Sequence, residues 1–230
     1  STYYRFNPGV ISPNRPDSGI NREALTNKFA FENAIYFDIN QQLSERLSIS
    51  YGTRLSSFLR LGQKELNVYE NNQAVGYNAD LQLYEEINPI GSESSSHSKV
   101  IKSFLNLEPR VALSYKLDDN TSLKTSYNRM TQYLHLLSNT SSPTPLDVWT
   151  PSGKYIQPQI LDQVAIGYFK RYNTYDLEIE SFYKITKNRI DYIDGANLIA
   201  NKAIEQALLN GQSRAYGFEL LFRKNKGRFK

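Results

Sequence analysis

Asn106-Leu107-Glu108-Pro109-Arg110-Val111-Ala112-Leu113-Ser114-Tyr115-Lys116-Leu117 runs through Asp118-Asp119-Asn120-Thr121 into Ser122-Leu123-Lys124-Thr125-Ser126-Tyr127-Asn128-Arg129. In the first half Val111, Leu113, Tyr115 and Leu117 alternate with Arg110, Ala112, Ser114 and Lys116. A period of two puts an apolar row on one face of a strand and a polar or small row on the other. The Asp and Asn residues between the two halves are turn formers. The stretch therefore reads as two long strands, Leu105 to Leu117 and Leu123 to Leu136, joined by a tight hairpin.

Outward from this hairpin the connections alternate strictly between short and long. Phe29 to Asn40 reaches Leu47 to Leu59 through a turn around Leu43 to Arg46, and a connection from Gly62 to Phe104 follows. A loop rich in Ser, Thr and Pro extends from Ser138 to Ile160, then Leu161 to Tyr172 turns at Asn173-Thr174 into Tyr175 to Ile193. Asp194 to Gln212 precedes the last strand, Ser213 to Arg223. Compact soluble domains rarely carry several structureless loops beyond about 12 to 15 residues. A transmembrane barrel has short turns at its periplasmic side and longer loops at the extracellular side. The strands, at about 10 to 13 residues, also match the roughly 9 to 11 that cross a bilayer at a tilt. The fold class is all-β: an antiparallel transmembrane β-barrel segment of about eight strands.

Composition narrows the reading. Among 230 residues, 13% are aromatic and none is cysteine, so a disulfide framework and thiolate metal sites are excluded. Mean hydropathy is -0.54, and no apolar run is long enough for a spanning helix, but a barrel shows lipid only alternate residues. The net charge of +4 comes from dispersed rather than clustered basic residues, which argues against nucleic acid as a partner. The 17 tyrosines suit interfacial girdles, with Tyr36, Tyr115, Tyr168 and Tyr183 as examples. Ser1 opens directly into an aromatic strand-like end, and Arg223 to Gly227 reads as one more short turn before Arg228-Phe229-Lys230. The chain is thus expected to start and stop inside a larger sheet.

The hairpin quoted above resembles paired barrel strands of TonB-dependent outer-membrane receptors. Pro158-Gln159-Ile160-Leu161-Asp162-Gln163-Val164-Ala165-Ile166-Gly167-Tyr168 resembles that family's loop-to-strand segment, and Arg214-Ala215-Tyr216-Gly217-Phe218-Glu219-Leu220 its later Gly-X-Glu-X strand. The resemblance covers Leu105 to Arg223, while the first hundred residues share only the architecture. It implies residues 1–230 of a partial barrel domain without a plug domain, in the outer membrane of a Gram-negative bacterium. It also implies a receptor that binds a scarce extracellular ligand and imports it into the periplasm with energy from the inner membrane. The expected partners are the remaining barrel strands and plug of the same receptor, an inner-membrane energy-coupling complex reached through the plug, and outer-membrane lipid. The alternative is a complete small barrel serving as a structural or adhesive surface protein.

Candidate site residues are the aromatics of the extracellular loops, Tyr133, His135, Trp149 and Tyr155, whose rings can stack on a ligand. His97 and His135 lie too far apart in sequence for a metal spacing, and no metal or other cofactor is expected. No nucleophile motif, phosphate loop or paired-acid signature marks an enzyme. The acids Glu32, Asp38, Glu178, Glu180 and Glu219 and the bases Arg54, Arg110, Lys116, Lys124 and Arg223 read as lumen-facing charges. Ala196 to Asn210 has near-helical apolar spacing with Gly211 placed as a C-terminal cap, which predicts a short loop helix.

Expressed by itself, the chain is expected to need detergent to stay dispersed, because its strand edges are unsatisfied. A monodisperse, detergent-free monomer with cooperative unfolding in a sedimentation and denaturation experiment would exclude the membrane reading.

Overall fold

Strong alternation and short turns leave each strand only its sequence neighbours to pair with, and the sheet is built that way. The computed structural model describes residues 1–15, 22–138, 147–198 and 201–225. Its main sheet holds eight strands: β1 (Thr2–Phe6), β2 (Lys28–Gln42), β3 (Leu47–Leu61), β4 (Val100–Asp118), β5 (Thr121–Gln132), β6 (Gln159–Arg171), β7 (Tyr175–Tyr192) and β8 (Leu208–Lys224). Spatial order equals sequence order and every pair is antiparallel. Among the described residues β1 and β8 are not paired with each other, so the sheet is open. The further strand expected to begin at Arg228 lies outside the described residues.

The short turns are held locally. The Leu47 amide donates to Ser44 Oγ at 3.1 Å, and the Asn120 amide donates to Asp118 Oδ1 at 2.8 Å beside a bulge between Lys116 and Asp118. Tyr172 N–H meets the Tyr175 carbonyl at 2.7 Å. All three turns stand at one end of the sheet and the long connections at the other, as the sequence rhythm requires.

Residues paired across antiparallel strands share a face, so the register shows which side chains form each surface. One row runs Ile39, Tyr51, Val111, Tyr127, Val164, Tyr183, Tyr216, and the next Leu113, Thr125, Ile166, Ser181, Phe218. This face stays open: Tyr216 is 79% exposed, Phe218 67%, Leu220 63% and Phe222 63%. An apolar surface this continuous is not left in water. The opposite rows carry Asp38, Gly52, Arg110, Asn128, Gln163 and Lys184, then Asn40, Ser50, Ala112, Ser126 and Ala165. The second of these rows borders a hollow in the sheet. Tyr115, Tyr168 and Tyr183 fall on the apolar face, whereas Tyr36 pairs with Arg54 and belongs to the polar one. Two glycines on the polar face accept an aromatic ring: a Cβ at Gly217 would lie 2.7 Å from the Phe182 ring, and one at Gly167 2.6 Å from Phe169.

Two segments differ from expectation. The strand expected through Leu136 ends at Gln132, because Tyr133 turns inward and Leu134–Leu137 pairs instead with Val148–Pro151. Among the described residues of the expected loop helix only a single 3-10 turn, Ile204–Ala207, is helical. Sheet pairing overrides the helical spacing there, since Leu208, Leu209 and Gly211 are already in register with Tyr192, Asp191 and Arg189. No helix is long and apolar enough to cross a membrane among the described residues.

Ile166→Arg, on the apolar face, is expected to destabilise the sheet in lipid by about 2–4 kcal/mol, the cost of a cation near the bilayer midplane. Ser126→Arg, one position over on the polar face, should change stability little; unfolding by denaturant in vesicles measures both.

Candidate functional site

Buried side chains concentrate where the long connections fold together, not beneath the middle of the sheet. One cluster joins Leu137, Ile156, Leu198, Ile204, Ala207 and Leu208 with Ile190 and Tyr192 against it. A second joins Ala30, Phe58 and Tyr133, with Tyr4, Phe104 and Leu134 at its margin.

Tyr133 is the hinge between sheet and loop. It is 3% exposed, and its ring stacks on Phe58 at 4.7 Å and 3°. Its hydroxyl accepts from Asn106 Nδ2 at 2.8 Å and lies 2.8 Å from Ser56 Oγ. Ser56 in turn donates to Glu108 Oε1 at 2.6 Å, which leaves Tyr133 as donor to Ser56. Arg54 completes the chain: it meets Glu32 at 2.9 Å and Glu108 at 3.4 Å, and Tyr4 donates to Glu32 at 3.1 Å. One guanidinium thus balances two partly buried carboxylates from the strands on either side. Removing it would leave uncompensated charge, the costly way to break such a group.

His135 stands on the short hairpin formed with Val148–Pro151, paired with Thr150 and 2% exposed. Gln159 Nε2 lies 3.3 Å from Nδ1, and Ser152 Oγ lies 2.9 Å from Nε2. An amide nitrogen can only donate, so Nδ1 is the acceptor and Nε2 carries the proton. Burial pushes the imidazole down to about 4, which keeps it neutral at physiological pH. Trp149 pairs with Leu136 and so points to the other face of the hairpin, 51% exposed.

Tyr155 is bound into the loop assembly. Its hydroxyl donates to the Asn67 carbonyl at 2.8 Å, and its ring meets Tyr69 edge-on at 5.1 Å. Tyr69 donates to Glu205 at 2.9 Å, and Asn67 Nδ2 reaches the same oxygen at 3.0 Å. Burial first, then the Glu205 charge and hydrogen bond, holds the Tyr69 phenol well above its ordinary range. The four sequence-selected residues therefore fall in three places: Tyr133 in the polar interior network, His135 and Trp149 on opposite faces of one hairpin, and Tyr155 in the loop core. The residues that carry the interior network, Arg54, Ser56, Asn106 and Glu108, share the polar strand rows, but only the register reveals that they meet. No group of three or more metal-ligating side chains occurs among the described residues.

A long-stranded antiparallel meander with an apolar outer face, a charged inner face and loops folded together at one end defines the wall of a large β-barrel. Residues 1–229 match the family described as TonB dependent receptor-like, beta-barrel, and the chain belongs to that family. Among solved structures, it resembles the ferric-catecholate import receptor Fiu from E. coli K12 at 17% identity and TM-score 0.53, covering 98% of this chain and 32% of that one. It is similar to the Serratia marcescens hemophore receptor HasR, in a complex of a double mutant with hemophore HasA and heme, at 14% identity and TM-score 0.53, over 87% of this chain and 32% of that one. The copper transporter OprC aligns at 12% identity and TM-score 0.50, over 91% of this chain and 28% of that one. At these identities the likeness is one of fold, and the chain spans about a third of each structure's length. No curated protein matches it in sequence.

Tyr133→Phe, which keeps the stack but loses the hydroxyl, should cost about 1 kcal/mol, and Tyr133→Ala about 3–5 kcal/mol, by denaturant unfolding. For His135 the folded state disfavours the proton, so its contribution to stability is complete above pH 6.5 and is lost as the pH falls toward about 4. Nitrogen NMR of labelled histidine should show a neutral Nε2–H tautomer at pH 5.5; an imidazolium there would refute the assignment.

Proposed function

We propose that this chain is the barrel-wall portion of a receptor in the outer membrane of a Gram-negative bacterium, one that binds a scarce extracellular ligand and imports it into the periplasm. The observation carrying this reading is the division of the sheet: an exposed apolar face including Tyr183, Tyr216 and Phe218, and an inner face bearing Glu32, Arg54, Asp38 and Arg110. The apolar face suits lipid. The charged face suits a folded plug domain supplied by the rest of the receptor, which would transmit energy from an inner-membrane complex. Residues 1–230 are then a partial barrel domain, closed by further strands of the same receptor at the edges β1 and β8. Its work is binding and passage, not bond-making.

In this reading Trp149 is the loop aromatic available for stacking on a ligand, while Tyr133, His135 and Tyr155 hold the loops that present it. The transported ligand's chemistry is read by loops and plug together. A small self-closed barrel used for adhesion is the weaker reading, because β1 and β8 do not meet.

The chain has no native cysteine, so engineered pairs are unambiguous. Single cysteines placed in Thr2–Phe6 and in Leu208–Lys224 of the receptor in detergent are expected to give no crosslink to one another. An efficient crosslink within one chain would mean that these strands close a barrel by themselves, and would defeat the receptor reading.

A further inference from the structure

At the junction of the loops with the outer ends of β2 and β3, the cations Lys28 and Arg60 stand with Lys154 around a single carboxylate, Glu205. Arg60 is 4% exposed and sits under the buried turn at Gly153. Its NH1 donates to the Phe29 and Leu61 carbonyls at 2.9 and 2.7 Å, and its NH2 to the Gln63 side-chain oxygen. All three acceptors are neutral, and of the guanidinium's five N–H groups three are engaged. Lys28, on the same face, donates to Thr150 Oγ1 at 3.2 Å through one of its three N–H groups. Neither cation forms an ion pair among the described residues.

Both side chains border a small cavity of about 40 Å³, where Lys154 is a third cation and Glu205 the acid. Glu205 accepts from Tyr69 and Asn67 on one oxygen and also acts electrostatically on Lys28, so one carboxylate is shared among these donors and three cations. A neighbouring cavity of about 60 Å³ shares Lys28, Gln63 and Glu205 and adds Lys202 and Glu65. Each has room for more than one water, or for the head of a small oxyanion. Enclosed charge normally finds a counter-charge, and N–H donors of Lys and Arg are the usual partners of carboxylate and phosphate oxygens.

We propose that this chamber is an oxyanion site in which Lys28 and Arg60 hold a phosphate or carboxylate group between the outer barrel wall and the loops. The two donors come from adjacent strands, β2 and β3, and Thr150 from the loop hairpin. A bound anion therefore ties the hairpin that carries His135 and Trp149 to the barrel wall. The proposal does not depend on what the receptor transports. The group has two sources, a free anion or an acidic side chain from the remainder of the receptor, and the proposal commits to the free anion.

The test uses the complete receptor in detergent, titrated with inorganic phosphate and separately with acetate at an ionic strength fixed with chloride. Saturable broadening of the phosphorus resonance of phosphate, or of the methyl signal of acetate, reports binding. Lys28→Met is expected to weaken that binding at least tenfold, whereas Lys102→Met, on the same face of β4 but outside the chamber, should leave it within twofold. Thr150→Val, which removes only the hydroxyl beside Lys28, provides an independent check with an expected loss of severalfold. Absence of saturable binding to the unmodified receptor, as when one of its own carboxylates fills the chamber, would overturn the proposal. So would equal binding by Lys28→Met and Lys102→Met.

Discussion

Inside a bilayer no water is available to a backbone N–H or C=O, and every such group must find its partner within the protein. The meander answers this by pairing each strand with its neighbours in sequence from β1 to β8. The consequence for side chains is severe. With the backbone committed to one ladder, each residue has only two directions, toward lipid or toward the interior, and a slip of one position would exchange them along a whole strand. The apolar rows through Val164 and Ile166 and the polar rows through Gln163 and Ala165 are the same constraint seen from its two sides.

The interior uses its charges sparingly and in local groups. Arg54 sits between Glu32 and Glu108 on three neighbouring strands, and Arg223 meets Asp176 at 3.0 Å. Each pair crosses between adjacent strands, so the charges reinforce the register already imposed by the backbone. Only the first of these groups is extended by neutral side chains, through Ser56 and Tyr133, into the loops. That link lets the first residue after β5 turn inward, and it explains why the hairpin with His135 lies against the wall.

The alternation of short and long connections and the period-two rows make the barrel architecture, its turn positions and most strand limits readable from sequence. The lumen-facing assignment of Glu32, Asp38, Arg54 and Arg110 is readable in the same way. The loops are not legible to that depth. Near-helical spacing around Leu198, Ala203 and Ala207 suggests a helix, yet pairing of Leu208 with Tyr192 draws the following residues into β8. Tyr36 suggests a girdle residue because type alone does not reveal facing, and its pairing with Arg54 does. Tyr133, His135, Trp149 and Tyr155 share a region of sequence, but their separation among interior, hairpin and loop core depends on contacts with Ser56, Gln159 and Asn67 that no local pattern encodes. Lys28 and Arg60 carry no sequence signal at all, since their distinction is that neither forms an ion pair among the described residues.

The loop contacts also bear on the order of assembly. Asn67 and Tyr69 bind Glu205 from 138 and 136 residues away in sequence, and Gln206 reaches the Ile87 carbonyl across 119. The hairpins, by contrast, close through turns of a few residues. Closing a long segment before its hairpins stand side by side loses chain entropy and brings no stabilisation in return. The contacts among the loops therefore depend on the strands that bring their ends together, β3 and β8 among them. Until those strands stand together, Tyr69, Tyr155 and the apolar cluster around Ile204 have no partners to cover them.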